Sequence, residues 1–190
     1  SPVLYCNSSS GRYQTLRSFQ ITAAGSGPCL RISNLGARCY NLTLTTTNVL
    51  GTALEVTSSV QGIYHRIVCN GKLYGLWLHT DTTPGSSINS NTFLNVGTTA
   101  GTVAGNTGCK IEGGSYTRNN VFINLSAEGC YTGVDSDGFE NTFIMPWVEA
   151  VNVNHYLETA NAASNWIQRH SGGVGVTQMG NNSTDLSAQE

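Results

Sequence analysis

The chain has 190 residues, of which 39% are apolar and only 11% carry charge, and its formal net charge is −2. This length allows one domain with a sizeable core, and the lack of a basic excess argues against a nucleic-acid partner. No apolar run is long enough to cross a bilayer, so membrane insertion is not expected. Polarity comes mainly from Asn, Ser, Thr and Gly, which are residues of turns and pleated surfaces and favour an all-β class. Disordered chains share this polarity, but the apolar residues stand in regular short runs, which argues for a folded chain.

The first half of the chain consists of short strand-like runs separated by turns. Apolar and polar residues alternate over residues 42–45, which is the period-two pattern of a half-buried strand. Turn residues such as those at 34–36 and 70–71 separate the runs. The predicted strands in this half are residues 12–22, 29–33, 39–45, 54–56, 63–69 and 73–79.

A repeat occupies the middle of the chain, because residues 108–128 and 129–149 coincide when one is shifted by 21 positions. Such a period is typical of solenoids, in which each repeat buries its apolar face against the next. The sequence therefore predicts an all-β, right-handed parallel β-helix with coils of about 21–29 residues. The coinciding pairs include Gly108/Gly129, Cys109/Cys130, Asn120/Asn141, Phe122/Phe143, Ile123/Ile144 and Glu128/Glu149.

An Asn-x-Phe run at residues 91–96 anticipates the two runs that begin at Asn120 and Asn141. The first interval is longer than the second, and we attribute the excess to a loop inserted at residues 97–106. Identical residues on successive coils stack, so we predict a buried Asn ladder and a column of Phe side chains. The opposite face of these strands is also apolar, with Leu94, Ile123 and Ile144, and a second subunit would cover it.

The chain holds six cysteines, which the sequence places in apolar strand-like contexts. The repeat predicts Cys109 beside Cys130 on the next coil. In-register stacking points both thiols the same way, so buried free thiols are favoured over disulfides. No Cys/His spacing recommends a metal site, and no cofactor is expected.

After Glu149 the repeat loosens, but residues 155–158 and 165–167 keep two short runs per coil. An amphipathic helix over residues 155–169 is the competing prediction. Gly172 and Gly173 interrupt the chain, and residues 174–179 form a last strand or a linker. We therefore assign residues 1–172 to the solenoid domain and 173–190 to a terminal strand or a linker to a further domain.

The motif Asn-x-Phe-x-Asn at residues 91–95 and 120–124 resembles the coils of pectate-lyase-like right-handed β-helices. Residues 120–149 look most like the phage tailspike and capsule-depolymerase branch of that superfamily. The resemblance implies a homotrimer on the virion tail, extracellular when it acts, that binds and often cleaves a bacterial surface polysaccharide. No catalytic motif of the family matches this sequence residue by residue.

Glu128 and Glu149 form the first candidate catalytic pair. The repeat places them at equivalent positions on adjacent coils, with backbones about 5 Å apart. Two close carboxylates resist joint ionisation, which leaves an acid beside a base. This pairing suits glycoside hydrolysis with retention, for which the carboxyl groups stand about 5–5.5 Å apart. The alternative is that both side chains end a strand and are solvated.

Asp135 and Asp137 form a second acid pair, which the sequence places on a turn before Gly138. An ordinary turn is the alternative to catalysis, and too little of a calcium loop surrounds them to predict a metal. Aromatic side chains offer apolar faces to sugar rings. The candidate substrate-binding residues near these acids are Trp147, Tyr131, His155 and Tyr156.

Three functions remain open from the sequence. The first is the β-helical part of a tailspike that binds, and in some cases depolymerises, a bacterial surface polysaccharide. The second is a non-catalytic carbohydrate-binding or structural solenoid. The third is a secreted microbial polysaccharide lyase or hydrolase, for which Arg118 and Arg169 are the nearest cationic candidates.

Overall fold

A computed structural model describes residues 2–8, 14–80, 86–149, 151–159, 162–163, 165–168, 176–178 and 183–185. Within these ranges the fold is almost entirely β, and one short 3-10 helix, Gly114–Tyr116, interrupts the strands. The strands stack in parallel as a β-solenoid of about six turns, which confirms the predicted fold class. In the described part of the chain, no helix has the length and apolarity needed to span a bilayer.

Two long parallel sheets form the walls of the solenoid. Sheet A contains β1, β3, β5, β7, β10, β14, β17 and β19, and sheet B contains β2, β4, β6, β9, β12, β15, β18 and β20. Shorter strands complete the coils, since β8 pairs with β5 and β11, and β13 pairs with β9 and β16. Successive long strands along the chain therefore alternate between the two sheets, and each coil contributes one strand to each sheet, as a parallel solenoid requires.

The strand bounds match most of the runs predicted from the sequence. In chain order they are β1 Leu4–Ser8, β2 Thr15–Ala23, β3 Leu30–Asn34, β4 Arg38–Thr46, β5 Thr52–Val60, β6 Ile63–Asn70, β7 Tyr74–Leu78, β8 Ile88–Asn89, β9 Thr92–Thr99, β10 Thr107–Ile111, β11 Thr117–Arg118, β12 Val121–Ile123, β13 Ser126–Glu128, β14 Thr132–Ser136, β15 Thr142–Ile144, β16 Trp147–Glu149, β17 Asn154–Glu158, β18 Trp166–Gln168, β19 Val176–Gln178 and β20 Thr184–Asp185.

Two columns of left-handed residues bend each coil. One column, with φ between 51° and 58°, stands at the corner before sheet B and consists of Gln61, Ser90, Asn119 and Glu140. The other divides sheet B into two limbs and consists of Ser18, Asn41, Arg66, Asn95, Asn124 and Met145. Asn tolerates this conformation better than most residues, which explains part of its abundance.

An asparagine ladder fixes the corner next to the first column. Asn91 donates to Asn120 Oδ1 at 2.9 Å, and Asn120 donates to Asn141 Oδ1 at 3.0 Å. The backbone N–H of Asn141 donates to Asn165 Oδ1 at 2.8 Å. All four side chains are buried, so each bond satisfies a polar group that would otherwise be costly to bury. The predicted ladder is confirmed.

An aromatic column runs through the core beside this ladder. Tyr64, Phe93, Phe122 and Phe143 stack face to face, with ring centroids 4.5, 4.7 and 4.6 Å apart. Tyr156 closes the column with an edge contact to Phe143 at 5.3 Å. These rings are fully buried, so the Phe column predicted from the repeat is confirmed as part of the core.

The extra residues of the longer coil enter at two places. Asn91 and Asn120 are 29 residues apart, Lys110 and Asp135 are 25 apart, and Asn120 and Asn141 are 21 apart. One part of the excess lies in the loop after β9 and the other around the 3-10 helix after β10. The prediction of a single loop at 97–106 is therefore wrong, because β9 continues to Thr99.

The predicted stacking of two cysteines also fails, while the two short runs predicted after Glu149 are confirmed over the competing helix. Cys109 pairs in register with Val134, whereas Cys130 lies in the turn before β14, so the two cysteines are not stacked partners. The 21-residue spacing of the repeat holds between neighbouring strands of sheet B, whereas the spacing between the corresponding strands of sheet A is different. In the region of the competing helix, residues 154–158 and 166–168 are strands.

The prediction of buried free thiols is confirmed for all six cysteines. Burial raises the pKa of the Cys39 thiol to about 12 and that of Cys130 to about 11. The predicted terminal run at 174–179 contains β19, which pairs with β17. The domain boundary at residue 172 stays a prediction.

Candidate functional site

The first predicted acid pair lies where the repeat places it. Glu128 on β13 and Glu149 on β16 are register partners on adjacent coils, and both side chains are exposed on the second limb of sheet B. The indole N–H of Trp147 donates to Glu149 Oε2 at 3.0 Å. The geometric part of the prediction is therefore confirmed, and the catalytic role stays a prediction.

The predicted sugar-binding residues do not form one surface. Trp147 is 42% exposed and lies beside Glu149, while Tyr131 and His155 are half-buried near the start of the sheet A strands. Tyr156 is fully buried, and its hydroxyl donates to Glu158 Oε1 at 2.9 Å. Tyr156 therefore cannot contact a ligand at the surface, and its assignment as substrate-binding is wrong.

The second acid pair lies on the other sheet. Asp135 belongs to β14 and pairs in register with Lys110, so the turn predicted there is wrong. Its neighbours Val134 and Ser136 are buried, which directs the Asp135 side chain to the outside of sheet A. Asp137 follows the strand, and its Oδ1 accepts a hydrogen bond from the hydroxyl of Thr159 at 2.5 Å.

A row of outward-facing residues crosses sheet A at the level of Asp135. Register pairing joins Arg31 to Glu55, Glu55 to Trp77, Trp77 to Lys110, and Lys110 to Asp135. Tyr74, His79 and Glu112 contact members of this row through ring contacts, hydrogen bonds or ion pairs. We call this set the sheet A platform: Arg31, Glu55, Tyr74, Trp77, His79, Lys110, Glu112 and Asp135.

Trp77 occupies the middle of the platform. Its ring stacks on His79 with centroids 3.7 Å apart and leans against Tyr74 at 5.1 Å. Its indole N–H donates to Glu112 Oε2 at 2.8 Å. The side chain is half-buried, so these contacts hold the indole in place while part of it stays open to solvent.

Glu55 anchors one end of the platform beneath Arg31 and His79. Its carboxyl group is only 2% exposed and accepts hydrogen bonds from Arg31 Nε at 2.6 Å and Arg31 Nη2 at 3.1 Å. His79 Nε2 lies 2.6 Å from Glu55 Oε1. Burial alone would raise the pKa of Glu55, but the hydrogen bonds and charge of His79 and Arg31 outweigh it and hold this pKa below its usual value.

Lys110 anchors the other end. Its Nζ lies 2.5 Å from Asp135 Oδ2 and 3.6 Å from Glu112 Oε1, and the lysine side chain is 15% exposed. Burial would lower the pKa of Lys110, but the hydrogen bond and charge of Asp135 raise it above the usual value. Lys110 therefore stays cationic.

These contacts define what the platform can do chemically. Both cations are already paired with carboxylates, so neither is left to bind the carboxylate of an acidic sugar. Asp135 is held in an ion pair with Lys110, so this carboxylate is engaged within the platform. Among the described residues, no group of three or more His, Cys, Asp or Glu side chains converges as a metal site. The platform is suited to binding through ring stacking and charged hydrogen-bond acceptors.

The sequence contained a signal for this platform that the repeat obscured. Glu55, Trp77 and Lys110 each stand between two residues that are fully buried, and Asp135 stands between two others. The period-two rule alone would have placed all four on one outer face. His79, at the end of the run at 73–79, pairs with Glu55.

Of the two arginines weighed for a lyase, Arg118 is exposed on β11, and Arg169 falls outside the described residues. Comparison with known proteins gave no match to this chain among family models, curated proteins or solved structures. The parallel β-solenoid is therefore established by the strand register.

Proposed function

We propose that this chain binds a bacterial surface polysaccharide along the sheet A platform, as the β-helical part of a phage tailspike or receptor-binding protein. The observation that carries the proposal is Trp77, a half-buried indole fixed by Tyr74, His79 and Glu112 at the centre of an outer sheet face. Sugar rings have apolar faces that pack against such an indole, while their hydroxyls pair with polar groups around it.

The shape of the fold also supports a polymeric ligand. Successive members of the row come from successive coils, which are spaced about 4.8 Å apart. The row is therefore a straight line of contacts, and a linear polysaccharide can extend along it over several sugar residues. Residues 120–149, which look most like the tailspike branch of the pectate-lyase-like β-helices, support the phage context.

The charge of the platform indicates the kind of sugar. Arg31 and Lys110 are opposed by Glu55, Glu112 and Asp135, so carboxylates outnumber guanidinium and ammonium groups. A polyuronate would meet net repulsion here. The platform therefore favours neutral or amino sugars over uronic acids, and this preference also argues against a lyase.

The outer face of sheet B supports the proposed homotrimer. Leu94, Ile123 and Ile144 are register partners and are half-buried in the single chain. Docking against other copies would remove the rest of this apolar row from water.

The test is binding of purified capsule or O-antigen fragments, measured by isothermal titration calorimetry. Replacement of Trp77 by Ala should weaken binding by about tenfold or more, since a stacked aromatic is often a hot spot. Trp166→Ala is the matched control, because Trp166 is 52% exposed on sheet B. Equal loss in both variants, or none in Trp77→Ala, would remove the platform as the binding face.

Hydrolysis is the second candidate function, and the register pairing of Glu128 with Glu149 favours it. Incubation with the same polysaccharides should then release new reducing ends without a rise in ultraviolet absorbance, since a lyase would give both signals. Glu128→Gln and Glu149→Gln should each reduce release by about a hundredfold or more. Glu140→Gln serves as the control, because Glu140 is an exposed carboxylate at the corner before sheet B. Unchanged rates in both Glu variants would exclude this pair as catalytic.

A further inference from the structure

A cleft of about 540 Å³ opens at the corner between the second limb of sheet B and the start of the sheet A strands. Three loops on successive coils form it, after β4, β6 and β9. This volume is within the range of small-molecule sites, which is about 300–1,000 Å³. Its lining includes Val49, Leu50, Lys72, Leu73 and Val103.

Backbone hydrogen bonds hold the three loops in place. The N–H groups of Lys72 and Leu73 both donate to the carbonyl oxygen of Gly51 at 3.0 Å, which joins the first loop to the second. The N–H of Gly101 donates to the carbonyl oxygen of Lys72 at 2.8 Å, which joins the second to the third. The cleft is therefore formed before any ligand arrives, which lowers the cost of binding.

The cleft has an unusually apolar lining for a loop surface. Val49 is 75% exposed, Leu50 is 59% exposed and Val103 is 70% exposed, and Leu73 lies half-buried among them. Single exposed aliphatic residues are common, but a contiguous group around a concavity marks a binding site. A ligand that enters the cleft must present an alkyl surface to these side chains.

The charge of the lining indicates which polar group the ligand should carry at its other end. Lys72 is exposed and is the one charged side chain among the lining residues, and no carboxylate stands in the lining to neutralise it. This arrangement contrasts with Lys110 on the platform, which is paired with Asp135. We propose that the cleft binds an anionic amphiphile, with its alkyl or acyl chain on the aliphatic residues and its carboxylate or phosphate group at Lys72.

The test uses octanoate, octyl phosphate and octanol, which share one chain length and differ in their head group. Each is titrated into the ¹⁵N-labelled full chain below its micellar concentration, and amide shifts are followed by NMR. We expect saturable shifts at residues 49–51, 71–73 and 101–106 with at least one of the two anions, and the anion that binds more tightly identifies the head group. Octanol should bind several-fold more weakly.

Three variants assign the contacts. Leu50→Ser and Val103→Ser should each weaken binding of the anion by about tenfold through lost apolar contact. Lys72→Gln should weaken it by about three- to fivefold and leave octanol binding unchanged. Val68→Ser is the control, because Val68 is 44% exposed on sheet B, away from the cleft.

Several results would overturn the proposal. One is the absence of saturable shifts with either anion, and another is octanol binding as tightly as the anions. Equal weakening in the Val68 control would show that the cleft is not the site. If Leu50→Ser and Val103→Ser alter only the sedimentation coefficient, a second copy of the chain covers the cleft instead.

Discussion

The outer faces of sheets A and B differ although the same coils build both. On sheet A the outer row is polar and cross-linked, from Arg31 and Glu55 through Trp77 to Lys110 and Asp135. On sheet B the equivalent row is apolar at Leu94, Ile123 and Ile144. The inward-facing side chains of both sheets form one core, whereas the outward-facing side chains differ between the two sheets. In this solenoid the repeated inward-facing residues therefore specify the fold. The outward-facing residues that alternate with them along each strand determine what each sheet face can contact.

The largest expected loss of stability distinguishes the inward-facing side of β12 from its outward-facing side. Phe122→Ala removes a ring stacked between Phe93 and Phe143 and should cost about 4 kcal/mol of unfolding free energy. Ile123→Ala, on the outer side, should cost about 1 kcal/mol and mainly weaken self-association. Urea unfolding and sedimentation check the pair. Equal costs would show that the two sides are not inner and outer.

The next effect concerns the corner that both sheets share. Asn120→Ala should cost about 3 kcal/mol, because Asn91, Asn141 and the carbonyl of Ile88 each lose a buried partner. Asn152→Ala is the control, since its side chain makes one exposed hydrogen bond to Thr102. Thermal unfolding of both variants measures the difference. Similar melting temperatures would mean that the Asn ladder adds little stability.

A third effect tests where the two sheets approach each other most closely. A Cβ at Gly133 would lie 2.6 Å from the carbonyl oxygen of His155 and would also overlap Val148 on sheet B. Gly133→Ala should therefore cost about 2 kcal/mol. Gly25→Ala has open space around the new methyl group and should stay within about 0.5 kcal/mol of the parent. An unchanged unfolding midpoint for Gly133→Ala would contradict the close packing.

The smallest stability effect concerns charge on sheet A. Because the pKa of Glu55 is lower in the folded chain, its ionised form stabilises the fold at pH values above the unfolded pKa of about 4.5. This stabilisation is lost as the pH falls through the folded pKa. Glu55→Gln should cost about 1.5 kcal/mol at pH 7 and reduce the loss of stability on acidification. An unchanged pH profile would show that Arg31 and His79 do not stabilise the carboxylate.

Much of this fold could be predicted from the sequence, since Asn120, Phe122 and their partners recur at fixed spacing on sheet B. Cys109 and Cys130 could not be placed from that spacing, because the coil changes length between the two sheets. The site was harder to predict. Glu128 and Glu149 follow the repeat, whereas the platform residues differ from coil to coil and are marked only by the period-two alternation within each strand. Their grouping depends on a register that only the folded chain supplies.

The most direct test that the outer face of sheet A, and not that of sheet B, binds the ligand uses the three tryptophans of the chain. Trp77 lies on sheet A, Trp147 on the second limb of sheet B, and Trp166 on its first limb. Their indole N–H signals are followed by NMR during titration with oligosaccharides of the bacterial surface polysaccharide that we propose as the ligand. The signal of Trp77 should move and saturate, while the other two stay in place. Movement of Trp147 alone would instead locate the ligand beside Glu128 and Glu149 and contradict the assignment of sheet A as the binding face.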